Sequence, residues 1–363
     1  MATNNNNKAL NVPPLRFPEF NGEWEKCTIK DYGEVVTGNT PPTSNSEYYD
    51  NGSYLWASPA DLGISKNITE TKTKLSLSGF RKTRNIPKGS VLITCIGSTI
   101  GKMGMATETM SSNQQINSIV INDKSDSDFV YYAISRAFPR YLSEVGIQAV
   151  PILSKSNFEK LPNYTTCREE QDKIGYFLNL LDERIATQNK IIEDLKLLKS
   201  AIVDKLMTPQ KEWKSTKIGN VLSIGSGRDY KHLEDGNIPV YGTGGYMLSV
   251  DSYLYDGESV CIGRKGTINK PIFLKGKFWT VDTLFYTHTF RSITPRFCYY
   301  LFTTIDWLKY NEASGVPSLS KVTIENISIS IPDLVTQKQL CAVLDSMTDK
   351  LDIEQKLLDA YHA

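Results

Sequence analysis

The most regular pattern of apolar positions lies between Glu169 and about Leu206. Apolar residues recur there at alternating spacings of four and three, and Gln188 and Lys199 occupy the two interrupted positions. The apolar members are Ile174, Leu178, Leu181, Ile185, Ile192, Leu195, Ile202 and Leu206. This spacing is typical of a helix that packs along a coiled-coil seam. The pattern therefore predicts one helix of roughly 38 residues, which at ~1.5 Å per residue would be about 57 Å long.

The same stripe recurs near the end of the chain, with Glu354 at the position that Gln188 holds in the first copy. Its apolar members are Leu340, Leu344, Met347, Leu351, Leu358 and Tyr361. Two such stripes can bury each other in an antiparallel pair, and the alternative is two independent surface helices. The shared register, including the polar interruption, favours the pair. The second copy ends at Ala363, about where Leu197 lies in the first, so we expect its helix to be shorter by roughly two to three turns.

The regions outside these stripes show a different pattern. Short runs of Val, Ile, Tyr and Thr are punctuated by Gly, Pro, Asn and Asp, for example at 54–58, 90–97 and 259–263. Such runs predict many short strands and turns, and the segments YYAISRAF and YYLFTTIDWL predict a short helix within each region. The expected fold class is α+β.

The chain also repeats itself in sequence. Glu23-Trp24 recurs as Glu212-Trp213, GSVLITCIGSTIGK as GESVCIGRKGTINK, VPILSKSNFEKLP as VPSLSKVTIENISI, and the first stripe as the second. From the VP motif onward the copies stay 166 residues apart (316 − 150). We therefore expect two tandem globular domains separated by two long helices. The predicted segments are a tail at 1–20, a first domain at 21–166, a helix at 167–208, a second domain at 209–335 and a shortened helix at 336–363.

Composition adds a local signal to this picture. The 363 residues suffice for two domains, and their formal net charge is only +1. Positive charge is nevertheless concentrated at comparable places in both globular regions, where seven and five Lys or Arg residues stand against one Glu each. The first zone runs from Lys66 to Lys88 and the second from Gly257 to Lys277. A basic run is usually a solvated face, but its recurrence favours phosphate binding.

The residues beside these zones supply candidate DNA contacts. Glycines in GSTIGK and GRKGTINK allow close approach of the backbone to a ligand, Arg and Lys suit guanine edges, and Asn and Gln suit adenine. For the amides of SSNQQINS, simple loop polarity is the equally weighted alternative. The candidates are Lys82, Arg84, Ser98, Thr99, Lys102, Asn113, Gln114, Gln115, Asn117, Lys155, Arg228, Tyr241, Arg264, Lys265, Thr267, Asn269, Lys270 and Lys321.

Catalytic signatures are missing from the sequence. The pairs in NVPPL and NTPPT lack the aromatic residue of an amino-methyltransferase motif, and no phosphate-binding GxxxxGK[ST] loop occurs. The six cysteines and three histidines show no metal-ligand spacing, so no metal is expected. Neither a signal peptide nor a membrane span is expected, and reduced cysteines favour the cytoplasm.

From Glu23 to the end, the order and spacing of these motifs resemble the specificity subunits of type I restriction–modification systems. The resemblance implies two target-recognition domains that each read half of a split DNA site, and conserved helices that set the spacer. It also implies partners: double-stranded DNA, methylation subunits, of which two are expected, and restriction subunits. No cofactor is expected in this chain, whereas S-adenosylmethionine, Mg²⁺ and ATP would act in the partner subunits.

Two other classes remain as alternatives. One is an enzyme with a fused recognition region, against which the missing catalytic motifs speak. The other is a coiled-coil scaffold that binds only proteins, which the recurrent basic loops oppose. Labelled methyl transfer by the isolated chain would identify the first, and failure to bind duplex DNA in a salt-sensitive manner would identify the second.

Overall fold

A computed structural model describes residues 11–145 and 152–362 of the chain. The chain divides into two compact units, Met1–Arg184 (unit 1) and Ile185–Ala363 (unit 2). The predicted VP turn at residues 150–151 lies outside the described residues, as does Ala363. Within the part that the structure describes, every helix is too short or too polar to span a bilayer.

Unit 1 is built on two larger sheets and a two-stranded ribbon. The sheet orders are β2-β10-β7-β8-β4, β5-β3-β9-β6 and β1-β11. The strands are β1 (Glu25–Thr28), β2 (Gly33–Thr37), β3 (Tyr54–Ala57), β4 (Asn67–Ile68), β5 (Thr73–Leu75), β6 (Asn85–Ile86), β7 (Val91–Thr94), β8 (Met103–Ala106), β9 (Met110–Ser112), β10 (Ile116–Ile121) and β11 (Pro162–Thr165).

The helices of unit 1 are α1 (Ile29–Tyr32), α2 (Leu77–Phe80), α3 (Ser127–Val145), α4 (Lys155–Phe158) and α5 (Arg168–Met207), a 40-residue helix that begins in unit 1 and continues into unit 2. Residues of α1, α3, α4 and α5 share one apolar cluster with the five-stranded sheet, whereas α2 packs beside β5 of the four-stranded sheet. Val130, Ile134 and Phe138 of α3 pack on Val91 and Ile93 of β7 in one buried cluster. Spacings of four residues place these α3 side chains on one face of the helix.

Unit 2 is likewise built on two larger sheets, here of four strands each, and a two-stranded ribbon. Their orders are β13-β20-β17-β18, β15-β14-β19-β16 and β12-β21. The strands are β12 (Lys214–Lys217), β13 (Ser223–Ser226), β14 (Asp235–Gly242), β15 (Gly245–Val250), β16 (Tyr255–Asp256), β17 (Ser259–Gly263), β18 (Ile272–Leu274), β19 (Lys277–Thr280), β20 (Leu284–His288) and β21 (Ser328–Ile331). The helices are α6 (Ile218–Val221), α7 (Pro295–Thr304), α8 (Lys321–Asn326) and α9 (Leu334–His362).

The two units repeat individual hydrogen bonds as well as sheets. In unit 1 the amide of Gly38 donates to the carbonyl of Ile116, and in unit 2 the amide of Gly227 donates to the carbonyl of Leu284. A Cβ on either glycine would lie within 2.2 Å of a backbone oxygen, so both turns require glycine. This explains why VVTG and SIGSG end on the same residue. The expected α+β fold with a tandem repeat is confirmed.

A buried glutamine joins each long helix to the shorter helix packed on it. In unit 1 the Gln171 Oε1 atom accepts from the Asp126 amide at 3.0 Å, and its Nε2 donates to the Thr166 carbonyl at 2.8 Å. In unit 2, Gln337 accepts from the Thr294 amide at 2.8 Å and donates to two carbonyls. Gln171 and Gln337 are 1% and 0% exposed, so both glutamines satisfy backbone groups that water cannot reach.

Within unit 2, the end of α5 packs against α9 in antiparallel fashion. Gln188 contacts Glu354, and eleven residues further along α5 Lys199 lies near Asp352 and Asp345, which both precede Glu354 on α9. Burial lowers the pKa of Lys199, and the nearby Arg296 lowers it further. The predicted α9 stripe is buried or half-buried throughout, at Leu340, Leu344, Met347, Leu351, Leu358 and Tyr361. The seam thus follows the predicted register.

The first stripe has a second role in unit 1. Ile174 packs against the cluster that contains Phe129, and Leu178 lines a groove beside the same helix, so this part of the stripe holds α3. Leu181 was predicted to be buried in the seam, but it is 39% exposed. Ile185, Leu195, Ile202 and Leu206 are half-buried and Ile192 is buried. One regular pattern of apolar positions along α5 therefore packs against two different helices, α3 in unit 1 and α9 in unit 2.

Candidate nucleic-acid interface

Three loops of unit 1 meet at one surface. Asn39 joins two of them, because its Nδ2 donates to the Lys82 carbonyl at 2.9 Å and its Oδ1 accepts from the Arg84 amide at 2.8 Å. The third loop is attached through Thr40, whose hydroxyl donates to the Gln114 Oε1 atom at 2.5 Å. Lys82, Arg84 and Gln114 are exposed. The surface therefore presents two cations and an amide on a hydrogen-bonded frame.

The GSTIGK loop adjoins this surface. The Cys95 amide donates to the Gln115 carbonyl at 2.7 Å, which places the loop beside the amide-rich turn. Gly97 then adopts φ +98°, a left-handed conformation that side chains other than glycine rarely take. Ser98 and Lys102 are exposed beyond it, and Thr99 is half-exposed. Lys155 is also exposed, with its ammonium 3.7 Å from the Glu159 carboxylate.

Two of the predicted base-contacting amides are internal instead. Asn117 is 3% exposed, and its Oδ1 accepts from the Thr37 hydroxyl at 2.7 Å across β2 and β10. Asn113 is 8% exposed, and its Oδ1 accepts from the Gln115 amide at 2.9 Å to close a turn. Both amides stabilise the surface from within and cannot reach a base. The prediction of direct base contact was wrong for these two residues.

One cation of the first basic zone is likewise paired inside the protein. The Lys66 side chain is 8% exposed and lies 2.5 Å from the Asp128 carboxylate. Its ammonium also donates to Asn179 on α5 at 2.9 Å and to the Tyr132 hydroxyl at 3.1 Å. A buried, paired ammonium is unavailable to phosphate. Lys66 therefore fastens the β-rich part of unit 1 to α3 and α5.

In unit 2 the corresponding loops border a cleft of about 860 Å³. Arg264 and Lys265 are exposed along one side, and Lys321 is half-buried on another. The Leu319 amide donates to the Arg264 carbonyl at 2.9 Å, which brings the second VP turn against the GRKGTINK loop. The cleft also contains Glu312. Hydrogen bonds from Thr323 and Ser320 hold the pKa of the Glu312 carboxyl below its usual range.

The sequence match and the structure pair the residues of these two loops differently, by one position. Leu153 bonds to the Cys95 carbonyl in unit 1 just as Leu319 bonds to the Arg264 carbonyl in unit 2. Gly97 and Gly266 then coincide, with φ +98° and +92°. Arg264 therefore takes the backbone position of Cys95, which is 2% exposed, so the cation lies at a place where unit 1 has a buried thiol.

The remaining candidates of unit 2 lie on neighbouring turns. Arg228 is exposed directly after Gly227, and its carbonyl accepts from the Trp279 indole at 2.9 Å. The Asn39 carbonyl accepts from the Trp56 indole at 3.1 Å in unit 1, so an indole supports this turn in both units. Tyr241 and Thr267 are half-buried, whereas Asn269 and Lys270 are exposed. Asn39, Thr40 and Asp282 belong to these surfaces but were missed, because none stands in a basic or amide-rich run.

The sequence matches the family model described as the type I restriction modification DNA specificity domain twice, over residues 21–197 and 210–360. The chain belongs to this family. The two matches cover the two repeats, including most of both long helices.

Named relatives of this specificity family support the assignment. The type I restriction enzyme MjaIX specificity subunit of Methanocaldococcus jannaschii is 30% identical over 243 residues, 58% of this chain and 54% of the relative. The chain thus spans about half the length of that protein. The EcoprrI specificity subunit of Escherichia coli is 20% identical over 353 residues, 89% of this chain and 87% of the relative.

A solved structure shows the same fold. The S subunit of a type I restriction-modification system from M. genitalium superposes with a TM-score of 0.66 at 19% identity, covering 94% of this chain and 93% of that one. A similarity of this extent includes both repeats and the helices between them.

Two buried thiols and the exposed groups of the two surfaces describe the side-chain chemistry of this specificity-family chain. Burial raises the pKa of the Cys95 and Cys261 thiols to about 12, so both are protonated at neutral pH and are poor nucleophiles. Among residues 11–145 and 152–362, no cluster of three or more His, Cys, Asp or Glu could hold a metal ion. The exposed groups of the two surfaces include cations, hydroxyls and amides, which bind phosphates and base edges, and the carboxylate of Asp282.

Proposed function

We propose that this chain is the non-catalytic DNA-targeting subunit of a type I restriction–modification complex and that each unit reads one half of a bipartite site. The observation that carries the proposal is the recurrence of one loop arrangement, with exposed cations, in both units. Lys82 and Arg84 would contact DNA in unit 1, and Arg228, Arg264 and Lys265 in unit 2. Membership of the type I specificity family supports the assignment to a restriction–modification complex.

In this proposal the long helices set the spacer and bind the methylation subunits, of which we expect two. Their exposed apolar side chains support a protein-binding role, since Tyr176, Leu197 and Ile353 are 66%, 71% and 64% exposed. S-adenosylmethionine would bind to those partners, and Mg²⁺ and ATP would serve restriction subunits in the same cytoplasmic complex. The chain itself would choose the sequence that they modify.

Mapping of methylated adenines in host DNA, with and without this chain, tests the proposal. We expect one bipartite motif to disappear when the chain is removed. A purified chain that transfers methyl groups without partners would contradict the non-catalytic role. A chain whose binding to duplex DNA is absent at low salt would instead be a protein-binding scaffold.

A further inference from the structure

A carboxylate lies in the cleft of unit 2 where phosphate-binding cations would be expected. Asp282 occupies the tight turn between β19 and β20, in which the Leu284 amide donates to the Val281 carbonyl at 2.9 Å. Asp282 is exposed, and within the described residues no hydrogen bond or ion pair engages its carboxylate. Arg264 contacts only its backbone carbonyl, at 3.5 Å.

The other carboxylate of the cleft is used differently. Glu312 accepts from the Ser320 amide and from the Thr323 hydroxyl, so its charge is satisfied within the protein. Asp282 is thus an unsatisfied acceptor beside Arg264 and Lys265. Against a DNA duplex a free carboxylate would repel phosphates, but it accepts hydrogen bonds from a base amino group. In the major groove, such donors are the N4 amino group of cytosine and the N6 amino group of adenine.

The equivalent residue of unit 1 can be identified from the backbone. The Arg228 amide donates to the Thr280 carbonyl, as the Asn39 amide donates to the Ser112 carbonyl, and Leu284 corresponds to Ile116 through the glycine turns. Counted back from that pair, Asp282 corresponds to Gln114. The Gln114 oxygen already accepts from the Thr40 hydroxyl, which leaves its amino group as the outward donor. The two units therefore present opposite hydrogen-bonding polarity at the same place.

We propose that Asp282 is a specificity-determining residue of unit 2 that accepts a hydrogen bond from the exocyclic amino group of a cytosine or adenine. This inference rests on the proposed DNA-reading function. Gln114 marks the matching position in unit 1 and donates to a base acceptor. Specificity at this position is then set by one side chain on a turn whose backbone is the same in both units.

The test is Asp282→Asn in the assembled complex, with the recognised motif determined by adenine-methylation mapping and by competition binding to randomised duplexes. The substitution keeps the shape of the side chain and replaces one acceptor oxygen with a donor. We expect one position of one half-site to lose its preference for an amino-bearing base by roughly 5- to 150-fold. The other half-site and the spacer should stay unchanged.

Glu312→Gln is the matched control, because it removes the same charge from the same cleft at a carboxylate that is occupied internally. It should leave the base preference intact. A second variant is Asp282→Ala. The wild type should bind more weakly when the amino-bearing base of the DNA at that position is changed for a keto-bearing base, and Asp282→Ala should abolish this difference. An unchanged motif in both Asp282 variants would overturn the inference while leaving the proposed function in place. Absence of any bipartite motif with the wild type would instead refute the proposed function.

Discussion

Gln188 donates from its Nε2 atom to the Glu354 carboxylate at 2.7 Å and to the Glu354 backbone carbonyl at 3.0 Å, and the two residues are 166 positions apart, the period of the repeat. A residue of one helix therefore meets its own counterpart on the other. Gln188 is 6% exposed, so this pair is one polar interruption of the apolar seam, and the half-buried Lys199 is the other. A buried polar pair of this kind specifies the register of paired helices at some expense in stability.

Gln188→Leu should lower the free energy of unfolding by about 1–3 kcal/mol, because the half-buried Glu354 carboxylate loses its donor. Urea denaturation of the purified chain measures this change. The double variant Gln188→Leu/Glu354→Leu should recover the loss or exceed it, since apolar residues replace both partners. A single variant as stable as wild type would show that water replaces the amide.

Arg264→Ala should relax one half-site or weaken binding to the cognate duplex by ~1–3 kcal/mol, because an exposed guanidinium is lost from the cleft. Fluorescence anisotropy with cognate and single-base variant duplexes measures both effects. Lys275→Ala is the control, since Lys275 is a cation of the same basic zone that lies 3.4 Å from the Glu258 carboxylate and does not line the cleft. A selectivity profile identical to wild type would remove Arg264 from the interface.

Insertion of seven residues after Ser200 should lengthen the spacer of the recognised site and preserve both half-sites. A full heptad keeps the stripe on one helix face and adds about 10 Å, which corresponds to roughly three base pairs. Methylation mapping reads out the spacer and the half-sites together. Altered half-sites with an unchanged spacer would contradict the proposal that α5 sets their separation.

The pair formed by Arg16 and Glu170 predicts a pH-dependent stability. The Glu170 side chain is 0% exposed; burial raises its pKa, but hydrogen bonds from Arg16 and Thr166 outweigh burial and lower the pKa overall. A lowered folded-state pKa contributes stability above the unfolded pKa of about 4.3 that is lost as the pH falls through the folded value.

Arg16→Met should therefore reduce the melting temperature most near pH 7, and the difference from wild type should shrink as the pH falls below about 4 and through the lowered pKa of Glu170 in the folded wild type, where its carboxyl becomes protonated. Thermal denaturation at a series of pH values measures this. Lys173→Met removes a cation that pairs with the exposed Glu19, so it should show a smaller effect at every pH. Equal losses at pH 7 and below pH 4 would assign the Arg16 effect to packing instead.

The amino-acid sequence determined the repeat, the two long helices and the register of their seam. These features follow from periodic apolar positions and from motifs that recur in order, which any chain with the same pattern must bury in the same way. It also identified exposed cations such as Lys82, Arg84 and Arg264, since Lys and Arg side chains are seldom fully buried unless they are paired.

Only the tertiary structure decided which polar residues face outward. Asn117 and Gln114 stand three positions apart in one polar run, yet pairing of β10 with β2 buries Asn117 while Thr40 orients the exposed Gln114. Asp128 and Asn179 bind the Lys66 ammonium, so this cation of the basic zone is not available at the surface. Asp282 joins Arg264 in the cleft although eighteen residues separate them. Burial and pairing of a polar side chain depend on partners distant along the chain, and these partners are set only when the sheets and helices come together.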